Sequence, residues 1–124
     1  MCYLRIVASV WFAVAAFPAA GDFYSGNKVH DMCSNNRGVV LGYVAGLHDR
    51  AINDGLRVRL LIADTDPLKK TVVALVHGFC APEQVTLGQV SDVFCSFLTK
   101  NPKDRHMDAS DLFSSAMVEA WPCK

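Results

Sequence analysis

The spacing of its cysteines constrains the fold of this chain more than any other feature of the sequence. One cysteine stands near the start, and four are spread over the remainder at Cys33, Cys80, Cys95 and Cys123. Cys123 is one residue from the end of the chain, where a free thiol would be exposed and open to oxidation. Without the first cysteine, the number is even, and an even number of cysteines in a small exported chain is typical of a disulfide-linked domain. We therefore expect Cys123 to be disulfide-bonded, and the sequence alone leaves every pairing of these four residues open.

The first residues are typical of a secretory signal peptide. Arg5 and the terminal amine give a positive start, and an uncharged apolar run over residues 6–17 is followed by small residues. A membrane-spanning helix needs about 20 apolar residues, so the run is short for one. We expect residues 1–20 to be removed by cleavage after Ala20, with Gly21 as the alternative. A membrane anchor and a buried first helix are the other interpretations.

Length and charge limit the class of protein. Residues 21–124 are enough for a single domain, and few enough for disulfides to matter to its stability. The full sequence balances 12 basic against 12 acidic residues, and no run of basic residues stands out. This balance argues against a nucleic-acid partner.

The first part of the domain shows two helical patterns. The stretch SGNKVHDMCSNN predicts a short helix capped by Ser25 or Asn27, and VVLGYVAGLHDRAIND predicts a second helix that ends at Gly55. Gly42 and Gly46 lie four residues apart inside the second helix, where each glycine costs about 1 kcal/mol relative to alanine. We expect another helix to approach them closely. The two apolar faces comprise Val29, Met32 and Cys33, and then Val40, Tyr43, Val44, Leu47 and Ala51.

The middle of the chain is less clear. In LRVRLLIADTD, apolar and basic residues alternate as in a strand, but no partner strand is evident, so we expect an extended or irregular segment. The following DPLKKTVVALVHG predicts a third helix, with Asp66 as its cap, Pro67 at its first position and Gly78 after its end.

The last part predicts two more helices. Thr86 and Gln89 form the pattern of a capping box, and Asn101 and Pro102 end that helix. Asp108 can cap the final helix. Their apolar stripes comprise Leu87, Val90, Val93, Phe94, Phe97 and Leu98, and then Leu112, Phe113, Ala116, Met117 and Ala120. The sequence therefore predicts an all-α fold, a small irregular bundle of about five helices linked by disulfides.

Candidate chemistry is sparse. His77 and Cys80 are close in sequence, but short spacing does not define a catalytic pair, and we interpret Cys80 as half of a disulfide. The other histidines are scattered, at His30, His48 and His106, and match no metal-binding motif. The aspartates Asp49, Asp54, Asp64 and Asp66 lack the spacing of a calcium loop. We expect no enzymatic activity, no metal and no cofactor, and a protein that acts by presenting a surface.

Three stretches together resemble a known family. GNKVHDMC, GYVAGLHD and the segment from FCAPEQV to AWPC are similar, in order and spacing, to the Tai/Rap family of type VI secretion amidase immunity proteins. The residues that match family motifs are Gly42, Tyr43, Gly46, Cys80, Pro82, Thr86, Leu87, Gln89, Pro102, Arg105, His106, Pro122 and Cys123.

The resemblance implies a function. Members of that family are periplasmic, helical and often homodimeric. They bind a papain-like peptidoglycan amidase, a toxin injected by neighbouring bacteria, and obstruct its substrate groove. The resemblance thus implies a periplasmic inhibitor in a toxin–antitoxin relationship of bacterial competition, with an amidase effector as partner and no membrane contact in the mature form. The alternative is a periplasmic helical adaptor or chaperone of the same fold without a toxin partner.

Two departures from the family pattern lead to further expectations. A cysteine that the family often carries before the second-helix motif is replaced here by Val40, and Cys95 is unusual for the family. Our hypothesis is that the disulfides are Cys80–Cys123 and Cys33–Cys95.

The second departure is the segment over residues 48–76, which is longer and more charged than the family pattern. We expect it either to contact the toxin, with Asp64, Thr65 and Asp66 at its exposed tip, or to reflect drift away from the immunity role.

Overall fold

Helices account for nearly all the regular structure in this computed structural model, which describes residues 23–123. The predicted signal peptide, residues 1–20, lies outside the described residues. The helices are α1 (Gly26–Asn35), α2 (Arg37–Leu61), α3 (Lys69–His77), α4 (Leu87–Lys100) and α5 (Ala109–Ala120). The only other pairing within residues 23–123 is an isolated antiparallel bridge between Ser25 and Asp108. The predicted all-α fold of about five helices is confirmed.

The core lies between α1, the first half of α2, α4 and α5. Phe94, Leu98 and Met117 are fully buried at its centre. The rings of Phe94 and Phe113 meet edge to face, with centroids 5.5 Å apart, and link α4 to α5. The other buried apolar side chains are Val29, Met32, Val40, Val44, Val90, Ala109, Leu112 and Ala116. The predicted stripes therefore face the core, except that Leu87 and Ala120 at their ends are exposed.

Helix caps follow the sequence pattern closely. The Ser25 hydroxyl accepts a hydrogen bond from the backbone N–H of Lys28. At α4, the Thr86 hydroxyl accepts from the N–H of Gln89, and the Gln89 side chain accepts from the N–H of Thr86. This reciprocal capping box satisfies donors that a helix start leaves unpaired. Asp108 occupies the N-cap position of α5.

The start of α1 is joined to the turn before α5. The N–H of Gly26 donates to the carbonyl of Met107 at 2.9 Å, and the N–H of Asn27 donates to the carbonyl of Arg105 at 2.6 Å. An added Cβ at Gly26 would lie 2.4 Å from Leu112 Cδ1 and 2.9 Å from the Arg105 carbonyl oxygen. Glycine is therefore required for this close approach.

The disulfides join the helices and the end of the chain. Cys33 of α1 and Cys95 of α4 have Sγ atoms 2.00 Å apart, and Cys80 and Cys123 have Sγ atoms 1.97 Å apart. The N–H of Cys80 also donates to the carbonyl of Trp121 at 2.8 Å. The structure thus places both expected pairs at bonding distance and fixes the end of the chain to the loop before α4.

The prediction for the middle of the chain was wrong. The helix α2 does not end at Gly55 but continues to Leu61, and the segment expected to be extended or irregular begins as helix. Gly55 is buried inside α2. Leucine and arginine are both strong helix formers, so LRVRLL supports a helix once α3 packs alongside it, despite its alternating pattern.

The third helix begins later than predicted. Asp66 Oδ1 accepts from the N–H of Leu68 at 2.8 Å, and α3 starts at Lys69 rather than at Pro67. Gly78 follows the helix with φ +55°, the left-handed conformation expected of a terminating glycine.

The expected role of the paired glycines was also wrong. Ideal Cβ atoms at Gly42 and Gly46 have no described atom within 4 Å, and the same holds for Gly38, four residues earlier. No helix of residues 23–123 therefore approaches this face of α2, which is open. None of the described helices is both long enough and apolar enough to cross a membrane.

Candidate partner-binding site

The second half of α2 and the whole of α3 form a helical hairpin, here called the arm, over residues 50–77. The helix α2 has 25 residues and is about 37 Å long, longer than any other described helix. Among the described helices, α3 packs against α2 alone. The arm therefore projects from the core formed by α1, α4, α5 and the start of α2.

The tip of the arm, residues 60–68, is held by short-range hydrogen bonds. The N–H of Asp66 donates to the carbonyl of Ala63 at 3.0 Å, and the N–H of Lys69 donates to the carbonyl of Asp66 at 3.1 Å. These turns give the tip a defined shape before any partner binds. They place the predicted contact residues, Asp64, Thr65 and Asp66, together in exposed positions.

Lys69 fixes the tip to α2. Its Nζ atom donates to the carbonyl of Arg59 at 3.1 Å and to the Asp64 carboxylate. The Lys69 side chain is only 18% exposed, whereas that of Asp64 is 96% exposed. The hydrogen bond from Lys69, and then its positive charge, hold the pKa of the Asp64 carboxyl below its ordinary value. Asp64 is therefore a fixed negative charge at the end of the arm.

Leucines flank these polar residues along the chain. Leu60, Leu61 and Leu68 are 75%, 83% and 63% exposed. Large exposed apolar side chains close together in a turn are typical of surfaces that bind a partner. The alternating pattern of LRVRLL predicts an extended segment, and so it does not single out Leu60 and Leu61 as contact residues. The signal was present, since consecutive leucines next to an acidic turn are hard to bury together.

A cavity of about 710 Å³ lies where the arm joins the core. Its apolar walls come from α2 and from the loop after α3, through Ala51, Ile52, Phe79, Ala81, Pro82 and Val85. The Cys80–Cys123 disulfide forms another part of the wall. Its polar lining residues are His48, Arg59, Lys70 and Glu83. This size lies within the range of about 300–1,000 Å³ that is usual for ligand pockets.

The family-motif residues all lie outside the tip of the arm, and several of them stabilise the fold. Tyr43 of α2 meets the ring of Tyr24 edge to face, with centroids 5.3 Å apart. Arg105 donates from its guanidinium to the carbonyls of Leu98 and Thr99, and so caps the end of α4. The remaining motif residues are Gly42 and Gly46 on the open face of α2, the pair Cys80 and Cys123, Thr86 and Gln89 in the capping box, Leu87 at the start of α4, and the exposed Pro82, Pro102, His106 and Pro122.

The described side chains offer little for catalysis or metal binding. Cys80 is bonded to Cys123, so its sulfur provides no thiolate. Within residues 23–123, no three histidine, cysteine or acidic side chains gather closely enough to hold a metal ion. Asp54 is paired with Arg50, and the ring nitrogen Nδ1 of His106 lies 2.9 Å from the carbonyl oxygen of Lys103.

The fold and the arm define a class of protein, a small helical domain with two cysteine pairs at bonding distance and a projecting helical hairpin. The chain belongs to a family of this kind, since the model of the Rap1a immunity proteins matches residues 25–123. Membership implies that the chain binds a cognate toxin effector, in a role other than that of an enzyme. No curated protein and no solved structure gives a significant match.

Proposed function

We propose that this chain is a periplasmic immunity protein that binds a papain-like peptidoglycan amidase delivered by a type VI secretion system and blocks its substrate groove. The match of the immunity-protein family over residues 25–123 carries the proposal. The four sequence features behind the narrower statement are the signal-peptide pattern and the three stretches similar to amidase immunity proteins. The two disulfides support an oxidising compartment such as the periplasm.

The arm is the part of the molecule that we propose enters the groove. A projecting hairpin is convex, and a convex surface can fill a cleft without any chemistry by the inhibitor. Leu60, Leu61 and Leu68 would supply apolar anchors, and Asp64, Thr65 and Asp66 would supply a polar contact that gives specificity. The hydrogen bonds within the tip reduce the loss of conformational freedom on binding.

A protection assay in bacteria tests this function. A papain-like type VI amidase, ideally the one encoded beside this gene, is directed to the periplasm of a test strain, and lysis is followed. We expect rescue by the full chain and no rescue when residues 1–20 are deleted. Lysis in the presence of the folded and exported protein, across a panel that includes the neighbouring toxin, would contradict the proposal and favour the adaptor or chaperone alternative.

Substitutions at exposed positions test the role of the arm in the same assay. Thr65→Arg places a bulky cation at the tip, and Ser34→Arg adds the same side chain to an exposed position on α1. We expect Thr65→Arg to abolish protection and Ser34→Arg to preserve it. Equal protection by both variants would show that the toxin-binding surface lies elsewhere than at the tip.

A homodimer is part of the proposal. The open face of α2 around Gly38, Gly42 and Gly46 would allow a second copy to approach closely. Light scattering on the purified protein measures the mass directly. A monomeric mass at all concentrations would contradict the proposed homodimer and would not bear on the proposed immunity role.

A further inference from the structure

We propose that the cavity at the base of the arm binds an amphipathic carboxylate, a ligand with an unbranched apolar chain that ends in a carboxylate group. The cavity is separate from the arm tip, so this proposal goes beyond the immunity function. It is carried by the size of the cavity, its apolar lining and the position of its charges.

Most of the cavity lining is apolar. It includes Ala51 and Ile52 of α2 and the loop residues Phe79, Ala81 and Val85. Ile52 remains 48% exposed, so part of the lining has no cover from the described residues. An apolar chain in the cavity would remove this surface from water, which is favourable in proportion to the area covered.

The positive charges lie at the end of the cavity nearest the arm tip. The hydrogen bond from Lys69 to the carbonyl of Arg59 shows that the start of α3 is beside this part of α2, and Lys70 is the next residue along the chain. Arg59 and Lys70 both line the cavity. Neither forms an ion pair within residues 23–123. Two unpaired cations at one end of an apolar cavity are complementary to an anionic head group.

The other charged and titratable groups of the lining set the orientation of the ligand. Glu83 lies in the loop that joins α3 to α4, on the side of the core. There it would repel the carboxylate of a ligand bound in the reverse orientation. His48 is at the same side, with its ring centroid 6.1 Å from that of Phe79. It precedes Arg59 by three turns of α2, a distance of about 16 Å along the helix axis. The cavity therefore accommodates an extended chain with its carboxylate towards Arg59 and Lys70.

Calorimetric titration of the full chain, purified in its oxidised form, tests the proposal with sodium dodecanoate as the probe, below its micelle-forming concentration. Dodecyltrimethylammonium has the same chain length with the opposite charge, and acetate has the carboxylate without the chain. We expect saturable binding of one dodecanoate per chain, binding of the cationic probe that is weaker by about tenfold or more, and no measurable binding of acetate.

Variants separate this cavity from nonspecific binding of a surfactant. The double variant Arg59→Gln/Lys70→Gln should weaken dodecanoate binding by about tenfold or more, because both cations contact the head group. The control Arg57→Gln/Lys103→Gln removes the same charge from exposed positions outside the cavity and should bind as the unsubstituted chain does. Ala81→Phe places a large side chain in the cavity from a loop position. It should abolish binding, while the circular dichroism spectrum and both disulfides are retained.

Three results would overturn the proposal. These are equal affinity for the anionic and cationic probes, equal weakening by the two double variants, and full binding by the folded Ala81→Phe variant. Each of them is independent of protection against the amidase, so failure here leaves the immunity function standing.

Discussion

Lys69 Nζ lies 3.1 Å from the carbonyl oxygen of Arg59 and donates a hydrogen bond to it, so a single lysine of α3 closes the end of α2. The last carbonyls of a helix have no partner within the helix, and a cation placed there also interacts favourably with the helix dipole. The same amine holds Asp64, an acidic residue at the tip of the arm whose side chain is 96% exposed. The shape and the charge of the proposed binding surface thus depend on one side chain.

Replacing Lys69 should raise the pKa of Asp64. In the variant Lys69→Met the hydrogen bond and the positive charge are lost, and the Asp64 pKa should return towards the ordinary aspartate value of about 3.9. Carboxyl chemical shifts measured by NMR across a pH titration follow this directly. The control is Lys70→Met, which removes the charge of the next residue along the chain. It should leave the pKa of Asp64 below its ordinary value.

The lowered pKa of Asp64 also predicts that the stability of the fold depends on pH. Because the pKa of Asp64 is lower in the folded chain than in the unfolded chain, its stabilising contribution is present above about pH 4 and is lost as the pH falls through the folded value. Urea unfolding at a series of pH values should show a smaller loss of stability on acidification for Lys69→Met than for the unsubstituted chain. If stability fell equally with pH in both proteins, the result would contradict the stabilising interaction of Lys69 with the Asp64 carboxylate.

Gly26→Ala should destabilise the fold. The new methyl group would meet Leu112 Cδ1, which can turn aside, and the Arg105 carbonyl, which is held by its hydrogen bond from Asn27. Crowding of this kind costs about 1–3 kcal/mol, read as a fall in the free energy of unfolding in urea.

Gly42→Ala is the matched control, because its methyl group would enter open space. At concentrations where light scattering shows a monomer, it should raise the free energy of unfolding by about 1 kcal/mol through helix propensity alone. A loss of stability at Gly42, together with a loss of self-association, would show that a second copy covers that face.

Ser91→Ala should leave stability unchanged or raise it by about 1 kcal/mol. The Ser91 hydroxyl oxygen is fully buried in α4 and has no hydrogen-bond partner among residues 23–123. Its removal relieves the desolvation of an unsatisfied polar group, although a small void partly offsets the gain. Ser96→Ala, at an exposed position in the same helix, should change the free energy of unfolding by less than about 0.5 kcal/mol. A large loss for Ser91→Ala would reveal a partner for the hydroxyl.

The two disulfides should differ in their reactivity. Cys80 and Cys123 are exposed, whereas Cys33 and Cys95 are partly buried between α1 and α4. Partial reduction of the native chain, followed by alkylation and peptide mapping, should label Cys80 and Cys123 first. Earlier labelling of Cys33 and Cys95 would contradict the packing described for α1 and α4.

Replacing either pair by serines should lower the free energy of unfolding by about 2–4 kcal/mol.

The sequence predicts those parts of the fold that are governed by local chemistry. The Thr86–Gln89 capping box, the Ser25 cap and the left-handed Gly78 each depend on residues a few positions apart, and the structure confirms them. The apolar stripes of α4 and α5 are equally local, because a period of 3.6 residues determines which side chains share a face.

The parts that depend on tertiary contacts could not be predicted in this way. Whether residues 56–61 are helical depends on packing against α3, which an alternating pattern of leucine and arginine does not reveal. Spacing alone marks Gly42 and Gly46 as sites of close approach, yet it is at Gly26 that an added Cβ would clash with Leu112 and with the Arg105 carbonyl. That contact joins segments far apart in sequence, so no local pattern signals it.

The most direct test of the central claim is the inhibition of a purified papain-like type VI amidase on peptidoglycan by the oxidised protein. The immunity function predicts loss of hydrolysis in proportion to the inhibitor added, complete at equal molar amounts, with a stable complex on gel filtration. Thr65→Arg should fail to inhibit and Ser34→Arg should inhibit fully. Undiminished hydrolysis by the amidase encoded beside this gene, with the folded protein in excess, would contradict the claim.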